Sequence, residues 1–192
     1  VFGRRIKALV FSTDVAIIKN INADAIIAVY PFTPQPAITQ AIIGVSEVPV
    51  FCGVGGGLTN GVRSASMAAY VEHQGAYGVV CNSKIGVETI HAIKDAVEIP
   101  VVYTVISENT DIQPYLTAGV DIINVSGAAR TPEIVGALRQ RYPELPIIAT
   151  GGPTEESILA TIRAGANAIT YTPPSSASLF AKTMADNRSE LE

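Results

Sequence analysis

Cysteine and histidine are scarce, with two of each in 192 residues. Cys52 and Cys81 lie in apolar, strand-like runs and have no second Cys or His at metal-ligand spacing. That excludes a zinc site and a disulfide framework, and it fits a reduced, intracellular protein in which both cysteines are packing residues. His73 (AYVEHQ) and His91 (ETIHAIK) fall in helix interiors, which leaves them structural. Charge is also thin: charged residues make up 16%, the net charge is −4 and the isoelectric point is near 5.2. Such a chain has no general pull on nucleic acid or on a membrane surface, so an anion site must be built locally. No apolar run approaches the ~20 residues of a spanning helix, and the first residues do not resemble a signal peptide. A cytoplasmic location is the expectation.

Apolar residues, by contrast, make up 48% of the chain. A chain of this length buries about 70% of its unfolded surface around one core, and no shift in composition divides it, so residues 1–192 are expected to form one domain. Apolar runs ending at glycine or polar turns predict strands at 7–12, 24–31, 49–54, 77–82, 100–106, 121–126, 146–150 and 167–172. Segments such as VRSASMAAYVEHQ, VETIHAIKDAV and TPEIVGALRQRY alternate with them at helical spacing. Continuous apolar strands are those of a parallel sheet covered on both faces.

The pattern repeats. Proline opens alternate strands (VPVF, IPVV, LPII), and Gly75, Gly119 and Gly165 precede the strands between them. One β-α-β-α pair per repeat, four times over, makes eight strands and predicts a compact (β/α)8 TIM barrel. A flavodoxin-like open sheet would leave two units unplaced.

The functional face of such a barrel is where strands end and helices begin, and the last two loops often hold phosphate. The seventh strand ends in PIIATGGPTEESI, where Gly151 and Gly152 let the backbone turn sharply and bring its N–H groups to an anion. Thr154 can cap the helix that follows. In NAITYTPPSS, Pro173 and Pro174 donate nothing, which leaves Ser175 and Ser176 as donors at the start of the last helix. The run CGVGGGLTNGVRS is either a second anion cradle, where Gly55 and Gly56 approach a ligand and Arg63 supplies the counter-charge, or a flexible connector. That run lacks the Gly-Lys-Ser/Thr of a Walker loop and the acidic residue of a dinucleotide fingerprint.

At the other strand ends stand Ser12, Thr13 and Asp14, then Tyr30, then Asn82 and Lys84, then Tyr103 and Glu108, and finally Asn124 and Ser126. Lys84 either pairs with a substrate anion or moves a proton beside Asn82, or is a solvated loop lysine before a helix, and Asn124 is a candidate ligand contact. Asp14 is either a general base or, in S-T-D before an apolar helix, an N-cap.

The run ATGGPTEESILATIRAGANAITYTPPSS resembles the phosphate-binding end of the ribulose-phosphate-binding barrel group, and of flavin-binding and inosine-monophosphate-dehydrogenase-type barrels. From VFCGVGGGLTNG onward, the layout is similar to the glycerol uptake operon antiterminator family, small barrels associated with glycerol-phosphate sensing. The resemblance implies phosphate binding but no particular reaction. DIINVSGAA lacks the Schiff-base lysine of the keto-deoxy-phosphogluconate aldolases. FCGVGGG lacks the Asp-x-Lys-x-x-Asp set of orotidine-monophosphate decarboxylase, and SGAARTP lacks the dehydrogenase cysteine. The first expectation is therefore an enzyme on a small phosphorylated metabolite, of lyase or isomerase type. The alternatives are a non-catalytic sensor of a phosphorylated ligand and a flavin-mononucleotide barrel with its ring between Tyr30 and Tyr103. No other cofactor is expected, and no metal. Pairing into a homo-oligomer is compatible with the sequence, which names no interface.

Overall fold

A computed structural model describes residues 1–189. All eight expected strands are present and close a barrel in chain order, each pairing in parallel with its neighbours and β1 with β8. The first half contains β1 (Ala8–Phe11), α1 (Val15–Lys19), β2 (Ala25–Ala28), α2 (Pro36–Val45), β3 (Val50–Gly55), α3 (Val62–His73), β4 (Gly78–Cys81) and α4 (Val87–Lys94). The second contains β5 (Val101–Val105), α5 (Gln113–Thr117), β6 (Ile122–Val125), α6 (Thr131–Arg141), β7 (Ile147–Thr150), α7 (Glu155–Arg163), β8 (Ala168–Tyr171) and α8 (Ser176–Ser189).

Because strand side chains alternate, each strand feeds two cores. Leu9, Ile27, Phe51, Val80, Val102, Ile122 and Ile148 fill the barrel interior. Their neighbours, among them Ile26, Cys52, Val79, Val101, Ile123 and Ile147, pack outward against the helices. Phe51 is the bulkiest interior residue and lies beside Gly78, whose Cβ would come within 2.6 Å of its ring, so the pair is matched large to small.

The glycine repeat has a structural cause at the N-terminal end of the barrel. Gly75, Gly119 and Gly165 all have positive φ and turn the chain from a helix into the next strand. Two residues after Gly119, Asp121 accepts the N–H of Val101 at the start of β5 (2.9 Å) and the ammonium of Lys94 (2.8 Å). Two residues after Gly165, Asn167 accepts the Ile147 N–H at the start of β7 (2.9 Å) and the Arg139 guanidinium (2.7 Å). Asp24 does the same for the N–H groups of Lys7 and Ala8 before β2. Three of the four repeats therefore carry a side-chain acceptor for the start of the preceding strand; in the Gly75 repeat the corresponding residue is Tyr77, whose N–H donates to the Val50 carbonyl (2.8 Å) instead.

The last helix departs from the pattern. Every residue class on α8 remains accessible and none of its residues is buried, while Leu159 and Ile162 of α7 and Leu179 and Phe180 of α8 stay exposed. Asp14 is its tether to the barrel, through Ser176.

Candidate active site

The interior positions change character as the strands leave the barrel. On β5 to β8, Val102 gives way to Thr104, Ile122 to Asn124 and Ser126, Ile148 to Thr150, and Ala168 to Thr170 and Thr172. On β1 to β3 the same positions stay apolar or bare: Phe11, Ile27 and Val29, Gly53 and Gly55. A cavity of about 450 Å³ opens between these two halves, walled by Phe11, Val29, Phe32 and Leu58 on one side and by Asn82, Lys84, Thr104, Asn124 and Ser126 on the other. A smaller cavity of about 140 Å³ adds Thr150, Thr170 and Thr172 and shares Phe11, Ile27, Asn124 and Ser126 with it.

Among the described residues, Lys84 is the one charged side chain on the larger wall, and it is engaged in no ion pair. Asn124 donates to Thr104 Oγ1 (3.3 Å), but its Oδ1 is buried without a partner, as is Thr170 Oγ1. A buried polar atom left unpaired costs about 1–3 kcal/mol, which a ligand can return by supplying a partner.

Asn82 and Lys84 fall where the sequence places them, just past β4. The Asn82 N–H donates to the Gly55 carbonyl (2.9 Å), and its Oδ1 accepts from Ser83 Oγ (3.2 Å) and the Lys84 N–H (3.4 Å). This turn aims both residues into the mouth. Gly55 lines the cavity, whereas Gly56 sits beneath it with φ +96°, where a Cβ would meet the Asn82 carbonyl oxygen at 2.7 Å and nitrogen at 2.9 Å. The glycine run thus serves close packing against the β4 turn and, through Gly55, against Ser64 of α3. Arg63 is exposed on α3 and does not line the cavity.

The two loops expected to grip phosphate have committed several of their donors. Gly151 donates to the Thr170 carbonyl (3.1 Å), and Gly152 (φ +83°) leads into a capping box between Thr154 and Ser157. Asp14 Oδ2 accepts both the N–H (2.8 Å) and the Oγ–H (2.6 Å) of Ser176, while Oδ1 accepts from Ala16 (3.1 Å) and Ile17 (3.3 Å). A carboxylate of the chain itself therefore occupies the anion position at the start of α8 and caps α1 at the same time. Those bonds from Ser176, with lesser ones from Ile17 and Ala16, hold the Asp14 carboxyl below the usual carboxylate range. Ser175 pairs with Ser178 through its hydroxyl (2.8 Å).

The other expected proton carrier, Glu108, is ion-paired with Arg130, and its second oxygen is buried without a partner. Tyr30 reaches the mouth and accepts the Gln35 N–H on its hydroxyl (2.7 Å). Tyr103 instead faces the helix layer, stacked on Tyr115 with centroids 4.0 Å apart, and burial raises its hydroxyl pKa. The two tyrosines do not form a common slot for a flavin ring.

Sequence reading passed over Thr104, Thr150, Thr170, Phe32 and Leu58. The signal was available for the threonines: each lies two residues beyond an apolar interior position, on the same face of its strand. Phe32 and Leu58 sit in loops, where no period marks them.

No family model matches the chain, and no curated protein matches it. Solved structures do. Phosphoenolpyruvate phosphomutase from Streptomyces platensis subsp. rosaceus superposes with TM-score 0.72 at 16% identity, covering 97% of this chain and 82% of that one. 2,3-Dimethylmalate lyase, described as a PEP mutase/isocitrate lyase superfamily member, gives 0.73 at 14%, over 97% and 82%. Phosphonopyruvate hydrolase in complex with oxalate and Mg++ gives 0.71 at 17%, over 95% and 80%. A divalent cation such as that protein's Mg++ favours oxygen ligands that include carboxylates. The wall of the larger cavity here carries no carboxylate or histidine, and among the described residues no group of three His, Cys, Asp or Glu could hold a metal. The donor set does not fit a resident Mg++. These likenesses show a (β/α)8 barrel and do not single out the antiterminator family.

Proposed function

We propose that this barrel is an enzyme of lyase or isomerase type acting on a small metabolite with an oxyanion group, phosphate or carboxylate, bound at the mouth between β4 and β6. One observation carries the reading: among the described residues Lys84 is the sole charge on the wall of the 450 Å³ cavity, which the amide of Asn124, with its unpaired oxygen, also lines. In such reactions, breaking a bond next to a carbonyl leaves the electron pair on an enolate oxygen, and a fixed cation there lowers the barrier. Lys84 is placed for that role or for holding the substrate's anionic group. Asn82, Thr104 and Asn124 orient its hydroxyl or carbonyl oxygens. Asp14 acts as a positioning residue between α1 and α8, and a phosphate bound at the start of α8 has to displace it.

The neighbours support the substrate class by analogy, since they are a phosphonopyruvate hydrolase, a phosphoenolpyruvate phosphomutase and a 2,3-dimethylmalate lyase. The second reading, a non-catalytic sensor of the same anion, is favoured by one feature. The interior positions at the mouth are hydroxyls, amides and apolar groups with no acid or histidine.

The test is a thermal-shift screen with inorganic phosphate, pyruvate, oxalate and glycerol 3-phosphate on the parent and on Lys84→Met. A ligand at 100 times its Kd adds about 2.7 kcal/mol to the native state. The expected result is stabilisation of the parent that Lys84→Met loses. Equal stabilisation of both proteins would refute the reading. With a hit in hand, an enzyme loses turnover about 10²–10³-fold in Lys84→Met, whereas a sensor has none to lose.

A further inference from the structure

The polar side of the cavity accounts for a head group but not for the opposite wall. Phe32 is 67% exposed and Leu58 79% exposed, yet both line the cavity together with Phe11, Val29 and Pro34. Large apolar side chains held in water at a cavity mouth mark a surface that something apolar covers.

The exposure is built into the loops. Phe32 stands in the segment Tyr30-Pro-Phe-Thr-Pro-Gln-Pro36, where three prolines restrict the backbone and the Gln35 N–H is tied to the Tyr30 hydroxyl at 2.7 Å. Leu58 is at the tip of a loop closed by the Gly56 N–H on the Thr59 carbonyl at 2.8 Å. These restraints shape the two loops that hold Phe32 and Leu58 at the mouth, so the apolar wall is present without a ligand. The volume, about 450 Å³, belongs to the ~300–1,000 Å³ class that encloses whole small molecules, which is far more than a two- or three-carbon acid fills.

We infer that the ligand is amphipathic: an oxyanion head, carboxylate or phosphate, on Lys84 and Asn124, carrying an unbranched alkyl or aryl tail that lies against Phe32 and Leu58. The inference rests on the oxyanion reading of the site given above and adds the tail. It makes Phe32 and Leu58 specificity-determining residues. Substrates shorter than the cavity leave them wet and bind weakly.

Calorimetric titration of three matched series tests this: 2-oxo acids from pyruvate to 2-oxooctanoate with phenylpyruvate, alkyl phosphates from ethyl to hexyl with phenyl phosphate, and uncharged alcohols of the same lengths. Affinity is expected to rise about fourfold per methylene in one charged series, which also decides between carboxylate and phosphate. Phe32→Ala and Leu58→Ala, whose side chains are mostly in water, should fold and should flatten that rise. If the short anions bind through Lys84 but added methylenes bring less than a twofold gain in total, the tail is refuted and the oxyanion site stands. If the alcohols bind as tightly as the anions, the apolar wall stands and the oxyanion reading falls. Absence of binding across all three series overturns both.

Discussion

Gly56→Ala separates two explanations of the glycine run, close packing and ligand approach. Gly56 has φ +96°, and a Cβ there would sit 2.7 Å and 2.9 Å from backbone atoms of Asn82, which cannot swing aside as a flexible side chain can. The left-handed backbone costs an alanine about 1–2 kcal/mol. Relieving the contact costs about 1–3 kcal/mol more, as for other overpacked sites. The sum, about 2–5 kcal/mol, corresponds to a fall in Tm of roughly 4–20 °C in a chain of this size. The displaced backbone is that of Asn82, so the variant should also weaken any ligand held by Asn82 and Lys84.

Gly57 is the matched control. It lines the cavity, its φ lies outside the positive range, and a Cβ there meets nothing within 4 Å. Gly57→Ala should be neutral or stabilising by about 0.4–1 kcal/mol, because it narrows the unfolded ensemble. Urea melts of the three proteins, read by circular dichroism, give both values. A Gly56→Ala variant within about 0.5 kcal/mol of the parent would refute the packing explanation, since that is the ordinary range of a neutral surface change.

Other consequences are direct. The Asp14 carboxyl is depressed by its bonds to Ser176, so its contribution is complete above the ordinary value of 3.8 and is lost as pH falls through the lower folded value. The stability difference between the parent and Asp14→Ala should therefore hold from neutral pH to about 4 and shrink below it, and a difference independent of pH in acid would show that the bonds do not persist. Burial pushes the thiols of Cys52 and Cys81 up to about 12, so a disulfide reagent at mildly alkaline pH should label neither until denaturant is added. Labelling of the native protein at the rate of free cysteine would contradict that. Ending the chain after Ser178 leaves the Asp14–Ser176 bonds in place and, among the described residues, takes away only side chains that are not buried, so Tm should move by less than about 2 °C. A larger fall, with a drop in mass by light scattering, would show α8 packed against a second copy in solution.

The eight strands were legible because each is a short apolar run with a glycine or polar stop, and the repeat of Gly75, Gly119 and Gly165 marked every second unit. That signal is local: a positive-φ glycine precedes β4, β6 and β8, and before β6 and β8 it is followed two residues later by Asp121 or Asn167 as acceptor. Lys84 and Asn82 could be placed for the same reason, since a polar residue just past an apolar strand lies at the functional end of a parallel barrel. Closure of the barrel decided the rest. It set Asn124 and Thr104 side by side, opposed them to Phe11 and Val29 from strands about 100 residues away in the chain, and left Asn124 Oδ1 without a partner. It also brought Asp14 to Ser176, 162 residues distant, so that a carboxylate at the first strand fills the anion position of the last helix. A strand's period tells which residues point inward. Which of them meet, and which donors are already spent, depends on contacts between strands far apart in the chain, and only the closed ring supplies those.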